Sequence, residues 1–288
     1  MAHTIAGFQD QCLKPLGHTS VEEAYFNIGK ETFRPEKIHY LKLFPVAYSL
    51  ISAHFFSGEN NMDTNAPILV APGTLAPAQN RVLRNTYMLL ALSLLPTIGG
   101  AWLGVQLKFS FLSGSPFIGF ILFLAIAFGF FYAIEKTKDS AWGVAILLGF
   151  TFFMGLMLSG LVGKVLGLRN GGTLIATAFG GTAMIFFAMA TLASTIKRDI
   201  SGMGKFLMIG VLVLIFASLA NIFLQMPALM LTIMVLAIGI FSALLLYDVN
   251  RIITGGETNY ISATLAIYLD IYNIFSNLLA LLGITSSD

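Results

Sequence analysis

YDVNRIITGGETNYISATLAIYLDIYN, residues 247–273, decides how the chain folds. It ends one apolar run at Asp248, turns around Gly255-Gly256, and sets Asp270 inside the next apolar run. Two such runs joined by a short loop read as antiparallel helices, because a segment in hydrocarbon must satisfy its own backbone hydrogen bonds. A charge at the centre of a spanning helix costs about 2.5–3.5 kcal/mol on insertion scales. Carboxylates placed there face the bundle interior or a wet cavity, and they are functional candidates by default.

The rest of the chain agrees with that reading. Of 288 residues, 57% are hydrophobic and 10% are charged, against about 25% charged in a soluble domain. A span needs about 20 apolar residues, and seven runs qualify: 86–107, 116–134, 141–163, 173–196, 206–224, 227–247 and 260–283. The first six hold no charged residue. Turn and loop signals separate them: Ser-Gly-Ser-Pro ending at Pro116, the charged run 135–139, Arg169-Asn170-Gly171-Gly172, Lys197-Arg198-Asp199, Pro227 and Gly255-Gly256. The fold class is therefore an all-α membrane protein with seven transmembrane helices. Gly100 and Gly104 form a GxxxG, and Gly180-Gly181 sits mid-span. These read as close helix contacts within one bundle rather than as a dimer interface.

With seven spans and an inner N-terminus, the inner side carries Arg81, Arg84, Lys136, Lys138, Lys197, Arg198, Lys205 and Arg251, and the outer side Lys108, Lys164 and Arg169. That bias places the N-terminus in the cytoplasm. Residues 1–61 hold all four histidines and the one cysteine, Cys12. They read as an N-terminal extension that is a small appendage, a disordered tail, or a start assigned upstream of one at Met62. Residues 62–85 read as a linker, and 86–288 as the seven-helix transmembrane domain.

Of 14 acidic residues, seven precede the first span and five sit in loops or at the terminus, which leaves Asp248 at the end of the sixth span and Asp270 within the seventh. At about 100° per residue, Asp270, Asn273 and Asn277 share one stripe of the last helix, continued by Ala263 and Ala266. A polar stripe on an otherwise oily helix suits the centre of a bundle. If the sixth helix runs to Ile253 and the seventh starts at Tyr260, the two carboxylates differ in depth by roughly 7 Å. Contact then requires a tilt or a low start of the last helix. Other readings stay open: Asp248 as a helix-end carboxylate answered by Arg251 and water, and Asp270 as a structural partner of Asn273 or of a tyrosine. Tyr247, Tyr260, Tyr268 and Tyr272 read as interfacial or packing aromatics.

No histidine or cysteine lies in the spans, nor do HExxH, GxSxG or a phosphate loop. Asp270 stands in Tyr-Leu-Asp-Ile rather than in the Gly-x-Gly-Asp of an intramembrane aspartyl protease. These features argue against an enzyme. The near-balanced charge of +2 gives no reason to invoke nucleic acid. Two carboxylates about 3 Å apart do not readily both ionise and so share a proton. Proton loading weakens any cation interaction at such a pair. Its loss leaves two negative charges that repel each other and attract a divalent cation to their oxygens.

The order Tyr247-Asp248, Arg251-Ile252, Gly256, Asn259-Tyr260-Ile261, Ala263, Tyr268-Leu269-Asp270-Ile271, Asn273-Ile274-Phe275 resembles the C-terminal signature of the Bax inhibitor-1 (transmembrane Bax inhibitor motif) family, bacterial branch. Arg81-Val82-Leu83-Arg84-Asn85-Thr86-Tyr87 is similar to the family's first span. The resemblance covers roughly 78–288 and leaves 1–61 unexplained. It implies seven helices with the last one central. It also implies a pH-sensitive calcium or cation leak gated by a buried pair, Asp248 and Asp270, which would hold Ca²⁺ transiently as the permeant ion, with no resident cofactor. Some members place an arginine on the second helix near the pair. No basic residue lies in 116–134, and Arg251 is the available substitute, with Asn273 and Asn277 as supporting polar groups. The alternative implied role is a regulatory scaffold in the membrane, acting on a membrane protease or on a stress or cell-death response. The location implied is a bacterial inner membrane.

Overall fold

A computed structural model of the chain describes residues 75–109, 116–196 and 200–286. The extension 1–61 and the first part of the linker lie outside the described residues. Among the described residues seven helices follow one another: α1 Leu75–Gln106, α2 Pro116–Thr137, α3 Ala141–Leu166, α4 Gly171–Thr195, α5 Ser201–Leu224, α6 Pro227–Ile253 and α7 Tyr260–Thr285. No strand occurs among the described residues. Among the described residues, α1 and α3 to α7 are long and apolar enough to cross a membrane by length and composition.

Several helices outrun their apolar runs. Helix α1 begins at Leu75, inside the segment read as a linker, and α6 continues past Asp248 to Ile253. Membrane thickness limits how many apolar residues a span needs. It does not end a helix whose next residues, such as Asn250 and Arg251, still tolerate helical geometry.

Helix ends are set by local chemistry. Gln225 adopts a left-handed conformation (φ 52°) after α5. The buried Asn221 side chain accepts from the Met226 N–H at 3.0 Å, and Pro227 opens α6. Helix α6 ends at Ile253 with Thr254 as its C-cap, and the chain turns away at Gly255, whose φ of +84° suits a residue without a Cβ. Asn259 then caps α7, its Oδ1 accepting from the N–H groups of Ile261 (2.9 Å) and Ser262 (3.2 Å).

Helix α7 packs against α1, α2, α3, α4 and α6. Of the most apolar stretch of α7, 67% is buried, against 11% for α4. Helices α1 and α3 approach each other closely. A methyl group added at Gly100 would fall on the Phe152 carbonyl, one at Gly104 on the Ser159 side chain, and one at Gly155 on the Thr97 carbonyl. The GxxxG thus serves contact within the bundle. Helix α5 rests on α6, with the Tyr247 ring seated over Gly204. Trp102, Phe206, Phe216 and Phe223 point outward and are more than half exposed, which suits a surface covered by lipid rather than water.

Candidate functional site

Asp248 lies in the penultimate turns of α6 and Asp270 near the middle of α7. Both are buried, at 4% and 3% exposure. Their carboxyl groups lie within hydrogen-bonding range of each other. The depth offset reckoned from the sequence is therefore closed by how the two helices cross. A hydrogen bond between two carboxyl groups requires a proton on one of them. On each residue Oδ2 is buried and receives no hydrogen bond from elsewhere among the described residues, so a proton shared within the pair is the bond open to it.

The charged groups acting on Asp248 besides its partner are Arg251 and Glu257. Arg251 reaches over the loop: its Nε donates to the Gly256 carbonyl at 3.2 Å, and its Nη2 lies 3.5 Å from Glu257 Oε2. Glu257 Oε1 accepts from the Asn259 N–H at 2.8 Å. Asn259 Nδ2 in turn donates to the Lys138 carbonyl (3.1 Å) and to Asp139 Oδ1 (2.9 Å) at the α2–α3 turn. A polar belt thus covers the loop end of the α6–α7 gap. On the other side of α6, buried Asn250 donates from Nδ2 to the Ile196 carbonyl at the end of α4, at 3.0 Å.

The remaining predicted residues fall as follows. Asn273 and Asn277 are buried on the stripe with Asp270. Asn273 Nδ2 donates to the Leu269 carbonyl at 3.1 Å, and Asn277 Nδ2 to the Asn273 carbonyl at 2.8 Å. Their amides thus serve their own helix. Of the two readings given for them, interfacial or packing, Tyr268 and Tyr272 take the packing one. Both are buried, and their hydroxyls bond to α1 and α3. Tyr247 packs on α5 and Tyr260 is half-buried at the start of α7. Sequence reasoning gave no role to Asn250, Asn221 or Asn259. A lone amide at the end of an oily run was the available signal, since it marks a backbone group that needs an answer. Among the described residues, no group of three or more His, Cys, Asp or Glu is placed to hold a metal ion.

Fold and site define a class: a multi-pass, all-helical membrane protein with a carboxyl pair buried between its last two helices. Comparison with known proteins gives the family. The family model described as "Inhibitor of apoptosis-promoting Bax1" matches residues 79–287. The chain is 39% identical over 209 residues to Modulator of FtsH protease YccA of Escherichia coli K12, covering 73% of this chain and 92% of that protein. It is 38% identical over 207 residues to an uncharacterized protein of Neisseria meningitidis serogroup A, covering 71% of this chain and 91% of the relative. An uncharacterized protein of Pseudomonas aeruginosa is 38% identical over 207 residues, covering 72% and 90%. The chain belongs to the Bax inhibitor-1 family.

Proposed function

We propose that the protein is a non-enzymatic modulator of a membrane protease, embedded in a bacterial inner membrane through seven spans arranged around α7. The observation that carries this reading is its 39% identity over 92% of a relative named as a modulator of the FtsH protease. A related Escherichia coli protein is named an inner membrane protein, which supports the location. The excess of Lys and Arg on the side of the α2–α3, α4–α5 and α6–α7 connections supports a cytoplasmic location for that side. The test is reconstitution of an FtsH-class protease with a membrane substrate, with and without this protein. A changed rate of substrate turnover, together with co-purification of the two proteins, is expected. Equal turnover with no association would overturn the proposal.

The carboxyl pair supports a second reading, a proton-controlled cation leak with calcium as the main permeant ion. Two carboxyl groups supply fewer oxygens than the roughly six to eight that Ca²⁺ takes. Any hold on the ion is therefore transient and shared with water and backbone oxygens. Liposomes containing the protein and a calcium dye test this directly. Flux whose pH profile changes with Asp248→Asn and Asp270→Asn is expected, and an unchanged profile would remove the leak.

A further inference from the structure

Arg81-Val82-Leu83-Arg84 lies in the second and third turns of α1 and has no part in the carboxyl pair or in the polar belt over the α6–α7 gap. Both arginines are exposed. They stand three residues apart, so their side chains leave the helix on one side. That end of α1 reaches the α6–α7 loop, where Gln79 sits against Gly255. Helix α1 holds no Asp or Glu. The acids described in the loops at this end of the bundle are already engaged. Glu135 meets Lys138, Glu257 meets Arg251 and the Asn259 N–H, and Asp139 meets the Asn259 amide. Like charges one turn apart repel each other. Among the described residues, no acidic side chain is placed to offset these two.

The same side of α1 continues as an apolar stripe. At about 100° per residue, Arg81, Arg84, Met88, Leu92, Leu95 and Trp102 share a sector roughly 80° wide. Met88, Leu92, Leu95 and Trp102 are all exposed. Helix rise gives their depth. Arg84 to Trp102 spans roughly 27 Å, close to the ~30 Å of a hydrocarbon core. A tryptophan suits one boundary of that core, which puts Arg84 at the other. Trp142 agrees with this. Helices α1 and α3 run side by side in the same direction, with Thr97 against Gly155 and Gly104 against Ser159. Counting back along both brings the exposed Trp142 level with Arg84. The guanidinium groups therefore stand at headgroup depth. Leu95 lies roughly 17 Å below Arg84, about the thickness of one leaflet's hydrocarbon.

We propose that Arg81 and Arg84 bind the phosphate of an anionic glycerophospholipid in the leaflet on the side of the α6–α7 loop, with its acyl chains along Met88, Leu92 and Leu95. Guanidinium groups give a phosphate bidentate, charge-assisted hydrogen bonds. The stripe below them takes the chains of the same molecule. An acidic peptide would answer the charges but not the stripe, which runs on into hydrocarbon. A zwitterionic lipid would fit the stripe but carries its own cation beside its phosphate. An anionic lipid answers both. The site depends on neither reading of function given above.

The test uses the full chain, whose two tryptophans are removed by Trp102→Phe and Trp142→Phe. Leu92→Trp then places one reporter in the stripe, about 12 Å below Arg84 by helix rise. The protein is put in nanodiscs of phosphatidylcholine with a fixed fraction of phosphatidylglycerol. Bromine near the middle of the acyl chains of one lipid or the other quenches the tryptophan. Phosphatidylglycerol is expected to be preferred at the stripe by about tenfold, and Met88→Trp in place of Leu92→Trp gives the same ranking. Arg81→Gln with Arg84→Gln removes the preference. Lys136→Gln with Lys205→Gln, which removes exposed cations of α2 and α5, leaves it unchanged. A preference that survives the loss of both arginines overturns the proposal. So does one that falls equally with the two lysines, because a diffuse positive field then attracts the lipid. Glycerol phosphate in solution is expected to leave the quenching unchanged. If it abolishes the preference, the arginines bind free phosphate and the lipid site falls. If no preference exists, and Arg81→Gln with Arg84→Gln instead abolishes co-purification of an FtsH-class protease, the arginines face a protein and the proposal falls as well.

Discussion

Replacing Gly155 by alanine adds one methyl group where the structure has no room for it. The added carbon would fall on the Thr97 carbonyl oxygen and within 2.8 and 2.9 Å of its carbon and Cα. These are backbone atoms that cannot rotate away, so α1 and α3 must separate. In a helix interior alanine is favoured over glycine by about 1 kcal/mol. Against that gain stand about 1–3 kcal/mol for overpacking. The separation also weakens the two contacts of Thr97 Oγ1, to Tyr268 and to the Thr151 carbonyl, at about 0.5–1.5 kcal/mol each. The expected net loss is about 1–5 kcal/mol, or a fall in Tm of several degrees at roughly 2–4 °C per kcal/mol. Thermal unfolding in detergent, followed by circular dichroism, measures it. Gly99→Ala and Gly160→Ala are the controls, because nothing lies within 4 Å of an added carbon at either position. They are expected to match the parent or exceed it by up to about 1 kcal/mol. A Gly155→Ala protein as stable as these controls would refute the close α1–α3 approach.

Asn259→Ala removes the cap of α7 and both ties to the α2–α3 turn. It is expected to lower stability by about 2 kcal/mol, roughly 1 from the cap and 1 from the ties, and to raise hydrogen exchange at Ile261 and Ser262. Gly255→Ala forces a Cβ into a left-handed conformation at about 1–2 kcal/mol and against Gln79 Nε2. Faster proteolysis of the α6–α7 loop is the readout. Tyr272→Phe deletes the hydroxyl that reaches the Met154 carbonyl and should cost about 0.5–1.5 kcal/mol, visible in the same thermal assay.

Most of the helical architecture was legible, because an oily run bounded by Gly, Pro and charge has one structural outcome in a membrane. The break at Pro227, for example, falls where α6 begins. Both buried carboxylates were legible too, since Asp248 and Asp270 were the acids left without a loop. Their contact was not. It depends on how α6 and α7 cross, and helix rise alone left them at different depths. The roles of Tyr268 and Tyr272 were also hidden. A tyrosine suits a membrane interface and a buried bond to a backbone carbonyl equally well, and only the position of α3 separates the two. The length of α1 was misjudged because residues 75–85 carry loop-like composition while taking helical geometry. Asn250 and Arg251 diverge for a similar reason: neighbours in sequence, they point to the end of α4 and to the α6–α7 loop.

The contact between the carboxyl groups of α6 and α7 is measured most directly by a double-mutant cycle on Asp248→Ala and Asp270→Ala, read as unfolding free energy in bilayer-like detergent. Removing either residue strands its partner in the interior, so the double variant should lose less than the sum of the two single losses. The expected coupling is at least about 0.6 kcal/mol, the average for polar contacts between membrane helices. Additive losses, agreeing within about 0.3 kcal/mol, would contradict the contact.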